Sequence, residues 1–78
     1  MSVCAYVLIE AMPLKSGNIA KKILEIDGVK SAFSVTGPFD VIAFVEKEDL
    51  NSLGKTIANE IQSVEGIVRT TTCVVMEI

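Results

Sequence analysis

The chain has no histidine and no tryptophan, and only two cysteines among 78 residues. Without histidine it lacks the commonest catalytic base and the commonest zinc ligand. Two cysteines cannot staple a disulfide-dense secreted scaffold, and with no C-x-x-C neither a redox pair nor a heavy-metal site is indicated. Basic residues are also few, seven against ten acidic, for a net charge of −3. Lys21 and Lys22 are the only adjacent basic pair. On a helix such a pair is a solvated face, so the footprint of a nucleic-acid binder is missing. No apolar run approaches the roughly 18 residues of a membrane span. No Lys or Arg precedes the apolar run that ends at Leu8, as a signal peptide would require. Neither G-x-x-x-x-G-K-[ST] nor G-x-G-x-x-G occurs. These absences predict a soluble, cytoplasmic chain with no membrane partner and no cofactor.

What is present is a duplicated pattern. Sliding the sequence on itself by 38 residues gives eight identities in 40 overlaid pairs, distributed along the chain rather than clustered. Val3, Ala5 and Val7 fall on Val41, Ala43 and Val45; Ile19, Ala20 and Ile23 fall on Ile57, Ala58 and Ile61; Gly28 falls on Gly66. The unit is strand, helix, strand, repeated. Alternating β-branched and aromatic residues predict strands at 3–10, 29–36, 39–47 and 67–76. Ile19, Ile23 and Ile26 at i, i+4, i+7 predict a helix over 16–26. Leu50, Leu53, Ile57, Ile61 and Val64 predict another over 49–63, with Asp49 as its N-cap. Asp27-Gly28 and Glu65-Gly66 terminate the two helices. Residues 1–78 therefore form one domain of β-α-β-β-α-β order. With right-handed crossovers this is the ferredoxin-like α+β sandwich: one four-stranded antiparallel sheet with both helices on one face. The short Thr36–Asp40 connection makes strands two and three a hairpin.

A domain this small buries only roughly 60–65% of its unfolded surface, so it often needs outside support. The strands state where that support comes from. In strand one Val3, Ala5, Val7 and Ile9 alternate with Cys4, Tyr6 and Leu8; in strand three Val41, Ala43 and Val45 alternate with Ile42 and Phe44; in strand four Cys73 and Val75 alternate with Val74 and Met76. Helices cover one face, and the other is apolar as well. An apolar face of that extent marks an interface, which predicts a homodimer joined sheet to sheet, with a partner domain from another protein as the alternative.

Candidates for chemistry are thin. Cys4 and Cys73 fall on neighbouring antiparallel strands, which allows them to be close, but two small buried hydrophobes are the stronger reading. Glu46, Glu48 and Asp49 sit at a strand exit and read as a solvated corner. Thr36-Gly37-Pro38-Phe39-Asp40 is more distinctive. A free amino acid needs acceptors for its ammonium, which Asp40 and turn carbonyls supply. It also needs donors for its carboxylate, which N–H groups around Gly37 and the strand-four threonine hydroxyls of Thr70, Thr71 and Thr72 supply. From spacing alone, an ordinary hairpin turn and ordinary strand threonines remain the stronger reading.

Val35-Thr36-Gly37-Pro38-Phe39-Asp40-Val41-Ile42-Ala43 resembles the T-G-x-[YF]-D signature and following apolar strand of the ligand-binding (RAM) domain of Lrp/AsnC transcription regulators. Ile61, Val64, Gly66, Ile67, Thr70 and Thr72 resemble that domain's second-helix exit and last strand. The resemblance covers nearly the whole chain. It implies regulation of transcription or amino acid metabolism, without enzymatic activity. It also implies sheet-to-sheet dimers that assemble to an octamer or decamer, and an amino acid effector bound between dimers. The residues implied in binding are Thr36, Gly37, Phe39, Asp40, Thr70 and Thr72. Family regulators carry an N-terminal helix-turn-helix domain. Here strand one begins at Val3, so a stand-alone ligand-binding domain without direct DNA binding is expected. It would act by binding an effector or by co-assembling with full-length Lrp/AsnC regulators. A small enzyme on this fold is disfavoured: a cofactor-free monooxygenase by the missing histidine, an acylphosphatase by Glu10–Leu14, which lacks arginine and asparagine. The ACT regulatory domain shares fold and ligand class, but its ligand glycine follows strand one rather than strand two.

Overall fold

The computed structural model describes residues 2–76. β1 (Val3–Ala11) leads to α1 (Ser16–Leu24) and β2 (Val29–Ser34). β3 (Val41–Lys47) leads to α2 (Leu50–Lys55), which continues without interruption as a π-helical segment (Thr56–Ile61), and then to β4 (Ile67–Val74). The sheet is antiparallel with order β2-β3-β1-β4, so the first strands of the two repeats are central and the last strands are edges. This is the ferredoxin-like order. Among the described residues no helix is long and apolar enough to cross a membrane.

One face of the sheet builds the core. Ala5, Val7 and Ile9 of β1 and Val41, Ala43 and Val45 of β3 are fully buried. Ile19 and Ile23 of α1, with Leu53, Ile57 and Ile61 of α2 and its continuation, close over them. Asp49 caps α2 as expected: its Oδ1 accepts from Ser52 N–H at 2.7 Å. That bond to the backbone holds the Asp49 carboxyl below its ordinary value.

Element ends differ from the sequence expectations. α1 stops at Leu24 rather than residue 26, and the second helix at Ile61 rather than 63. In each case the chain tightens into i→i−3 bonds, Ile26 N–H to Ile23 O at 3.0 Å and Val64 N–H to Ile61 O at 3.1 Å. Ile26 and Val64 still pack against the core from these turns. β2 ends at Ser34 rather than 36 and β3 begins at Val41 rather than 39, because residues 35–40 bond among themselves and to β1. β4 ends at Val74 rather than 76, although Val75 N–H still reaches Cys4 O at 2.9 Å.

The repeat has a conformational counterpart. Gly28 and Gly66, one repeat apart, have φ of +97° and +98°. At Gly28 the constraint is also steric: an added Cβ would stand 2.5 Å from Lys47 Cδ and 3.0 Å from Glu46 O. The halves nevertheless cover the sheet unevenly. On the helix side of β4, Ile67 and Thr70 are half-buried while Thr72 and Val74 stay exposed.

Candidate functional site

Three hydrogen bonds fix the β2–β3 turn. Val35 N–H donates to Asp40 O at 2.9 Å, and Asp40 N–H to Ile9 O at 2.8 Å. Ala11 N–H donates to Asp40 Oδ2 at 2.8 Å in a half-buried position. The Asp40 side chain thus ties the turn to the end of β1. One carboxylate oxygen is therefore occupied, and Oδ1 has no bond among the described residues. The tip beyond the anchor is open. Thr36, Gly37 and Pro38 lie at its surface and Phe39 is half-buried. Gly37 has φ +130°, and nothing lies within 4 Å of where its Cβ would be.

Thr70 pairs with Ile9, the same residue whose carbonyl receives Asp40. The turn and Thr70 therefore share one end of the sheet but straddle β1. Two strand spacings separate them, roughly 10 Å. Thr72 lies opposite Val7, one repeat of the pleat farther from the turn. The Thr70 hydroxyl accepts from Gln62 Nε2 at 2.8 Å. Gln62, Ile67, Val68, Arg69 and Thr70 line a recess of about 320 Å³ against β4. Sequence reasoning missed both Gln62 and Ala11. An exposed polar residue at a helix exit resembles any solvated surface residue, and Ala11 acts through its backbone. The available signal was position: Gln62 closes the helix that feeds β4.

The uncovered sheet face is apolar at its centre. Tyr6 pairs with Phe44 and Cys73, and Leu8 with Ile42, so their side chains share that face. Tyr6 and Phe44 stack at 4.9 Å between ring centroids with a 56° tilt. Phe33 is 65% and Tyr6 49% exposed. Tyr6, Ser31, Phe33, Ile42 and Phe44 surround a hollow of about 350 Å³. Charge is confined to the two ends of the face. Arg69 Nε lies 3.8 Å from Glu10 Oε2 at one end, and Ser2 Oγ donates to Glu46 Oε2 at 2.6 Å at the other. Cys4 and Cys73 occupy this face as free thiols.

At the far end of the sheet, Ser2, Asp27, Lys30, Lys47, Glu48 and Ser52 line a polar hollow of about 660 Å³. Lys47 Nζ meets Asp27 Oδ2 there at 3.3 Å. Among the described residues no three histidine, cysteine or carboxylate groups converge on a metal position.

Sheet order, helices on a single face and an anchored turn between β2 and β3 define a ferredoxin-like α+β domain. The chain belongs to the Lrp/AsnC ligand binding domain family, whose model matches residues 4–78. It is 31% identical over 75 residues to the HTH-type transcriptional regulator LysM of Sulfurisphaera tokodaii, covering 95% of this chain and 53% of that protein. It is 32% identical over 73 residues to LysM of Saccharolobus solfataricus, covering 92% and 51%. The chain thus spans about half the length of these curated relatives. TTHA0845 from Thermus thermophilus superposes with a TM-score of 0.91 at 32% identity, over 97% of this chain and 95% of that one. The transcriptional regulator NMB0573 of Neisseria meningitidis, solved as an L-Met complex, superposes at 0.83 with 18% identity over 96% and 50%; at that identity the likeness is one of fold.

Proposed function

We propose that the chain is a non-enzymatic effector-binding and oligomerisation module. It senses a small molecule, an amino acid, in regulation of transcription or amino acid metabolism. One observation carries this: the polar groups suited to an amino acid lie in two sets on opposite sides of β1, roughly 10 Å apart. The ammonium nitrogen and carboxylate carbon of an amino acid are two bonds, roughly 2.5 Å, apart. With a hydrogen bond of about 2.8 Å at each end one amino acid spans about 8–9 Å, so the turn of residues 36–40 and Thr70 stand at the limit of a single ligand's reach within one chain, and Thr72 beyond it. A second copy completes each site. The apolar sheet face supplies a first mode of pairing, and the turn end a second, on the way to an octamer or decamer. The ligand-binding set is Thr36, Gly37, Phe39, Asp40, Thr70 and Thr72, joined by Gln62.

Calorimetry against the twenty amino acids, with light scattering in parallel, tests this. Asp40→Asn is the useful variant, because an amide oxygen still accepts from Ala11 N–H while the negative charge facing an ammonium is lost. Weakened binding with an intact fold supports the role; no binding by any amino acid to the unaltered chain removes it. The bare sheet face also favours a ligand-independent assembly partner of full-length Lrp/AsnC regulators, since it needs no effector to pair. Co-purification with such a regulator, indifferent to amino acids, would support that reading instead.

A further inference from the structure

Resting on the effector-binding reading, the charges at the turn end of the sheet narrow the effector's class. Among the described residues four carboxylates, Asp40, Glu10, Glu65 and Glu60, stand in or next to this end. Asp40 accepts from Ala11 N–H and keeps one oxygen, which the effector's ammonium needs. Glu10 faces Arg69 at 3.8 Å. Glu65 shares a small hollow with Lys15 and Lys22. Glu60, two positions before Gln62, is turned to another side of its helix. The cations Arg69, Lys15 and Lys22 are those same partners. Glu60, which pairs with no cation among the described residues, is turned away, so no carboxylate is free for a basic side chain; Lys15 and Lys22 share the single carboxylate of Glu65. A basic side chain enclosed between copies would lie unpaired, and an acidic one would compete with Glu65 for Lys15 and Lys22; both are unfavourable.

What the same end offers unused is apolar. Met12 is 52% exposed and Val68 64%. Met12 N–H donates to Gly66 O at 2.8 Å, which sets Met12 beside the start of β4, one residue from the Ala11 that holds Asp40. Leu14 is fully exposed and has φ +67°, the only non-glycine residue at positive φ among those described. A left-handed backbone disfavours a side-chain-bearing residue, and packing within the chain gives this leucine nothing in return. We infer that the effector carries a neutral, apolar side chain, and that Met12, Leu14 and Val68 form the lip it meets when two copies close over it.

The test is calorimetric titration of the 78-residue chain with leucine, methionine, lysine and glutamate, repeated with Leu14→Gly. Glycine suits the left-handed position, so this variant folds at least as stably while losing the contact. Expected is binding of leucine or methionine at least about tenfold tighter than lysine or glutamate, and severalfold weaker leucine or methionine binding by Leu14→Gly. Lysine or glutamate binding as tightly as leucine overturns the inference and leaves the effector-binding function standing. Leu14→Gly with unaltered affinity removes Leu14 from the lip and overturns that assignment. No binding by any of the four, or by the remaining amino acids, overturns both.

Discussion

Asp40 shows how one side chain holds a loop for use. Its N–H, C=O and carboxylate each take a bond, to Ile9, Val35 and Ala11 respectively. Replacing it with alanine leaves the half-buried Ala11 N–H without an acceptor, a cost of about 1–3 kcal/mol. Asparagine keeps an acceptor and gives up only the charge assistance, about 1 kcal/mol. Urea denaturation of both variants is expected to order them asparagine above alanine. Equal losses would show that the hydrogen bond is not the anchor. The aspartate was visible in the sequence, and so was its place in a turn motif. Its partner was not, because a backbone N–H on another strand leaves no mark in the residue pattern.

At the scale of elements, strands and helices were legible because burial imposes periods of two and 3.6 that the residues obey. The π segment was not. Four residues advance an α-helix by about 400°, so a stripe at i, i+4, i+8 drifts by about 40° per step. Leu53, Ile57 and Ile61 are spaced in that way yet all three are buried. The wider turn, in which Gln62 N–H reaches Ile57 O at 3.0 Å, cancels the drift and swings Gln62 onto Thr70. A sequence stripe with 4-residue spacing predicts the helix but cannot separate the two turns. Register gives the cysteines similar precision. Tyr6, not Cys4, is opposite Cys73, and Cys4 is opposite Val75, so the thiols are diagonal neighbours. Diagonal positions lie about 7–8 Å apart, beyond the usual separation of roughly 4.4–6.8 Å between the Cα atoms of a disulfide. Under a mild disulfide oxidant, non-reducing mass analysis is expected to show no intrachain bridge. A monomer lighter by two hydrogens would contradict the register.

For the whole molecule the central fact is that one sheet face is covered by the chain's own helices and the other is not. Tyr6, Phe33, Ile42 and Phe44 keep an apolar hollow on the bare side, with charges only at its ends. Pairing two such faces removes apolar surface from water at roughly 25 cal/mol per Å². Because the benefit depends on meeting a second copy, stability should rise with protein concentration. Tyr6→Glu separates this from an ordinary surface change. Tyr6 is half exposed in the single chain, so glutamate there stays solvated and the isolated fold tolerates it. Inside a paired face the same carboxylate would be desolvated with no cation of the central strands beside it. Light scattering after size exclusion is therefore expected to show the unaltered chain as a multiple of its 8.4 kDa mass and Tyr6→Glu shifted toward that mass. Circular dichroism should match between the two, and only the unaltered chain should melt at a temperature that climbs with concentration. An unaltered chain that runs as a monomer at every concentration would refute pairing through this face, and with it the route by which the two halves of the ligand site are brought together.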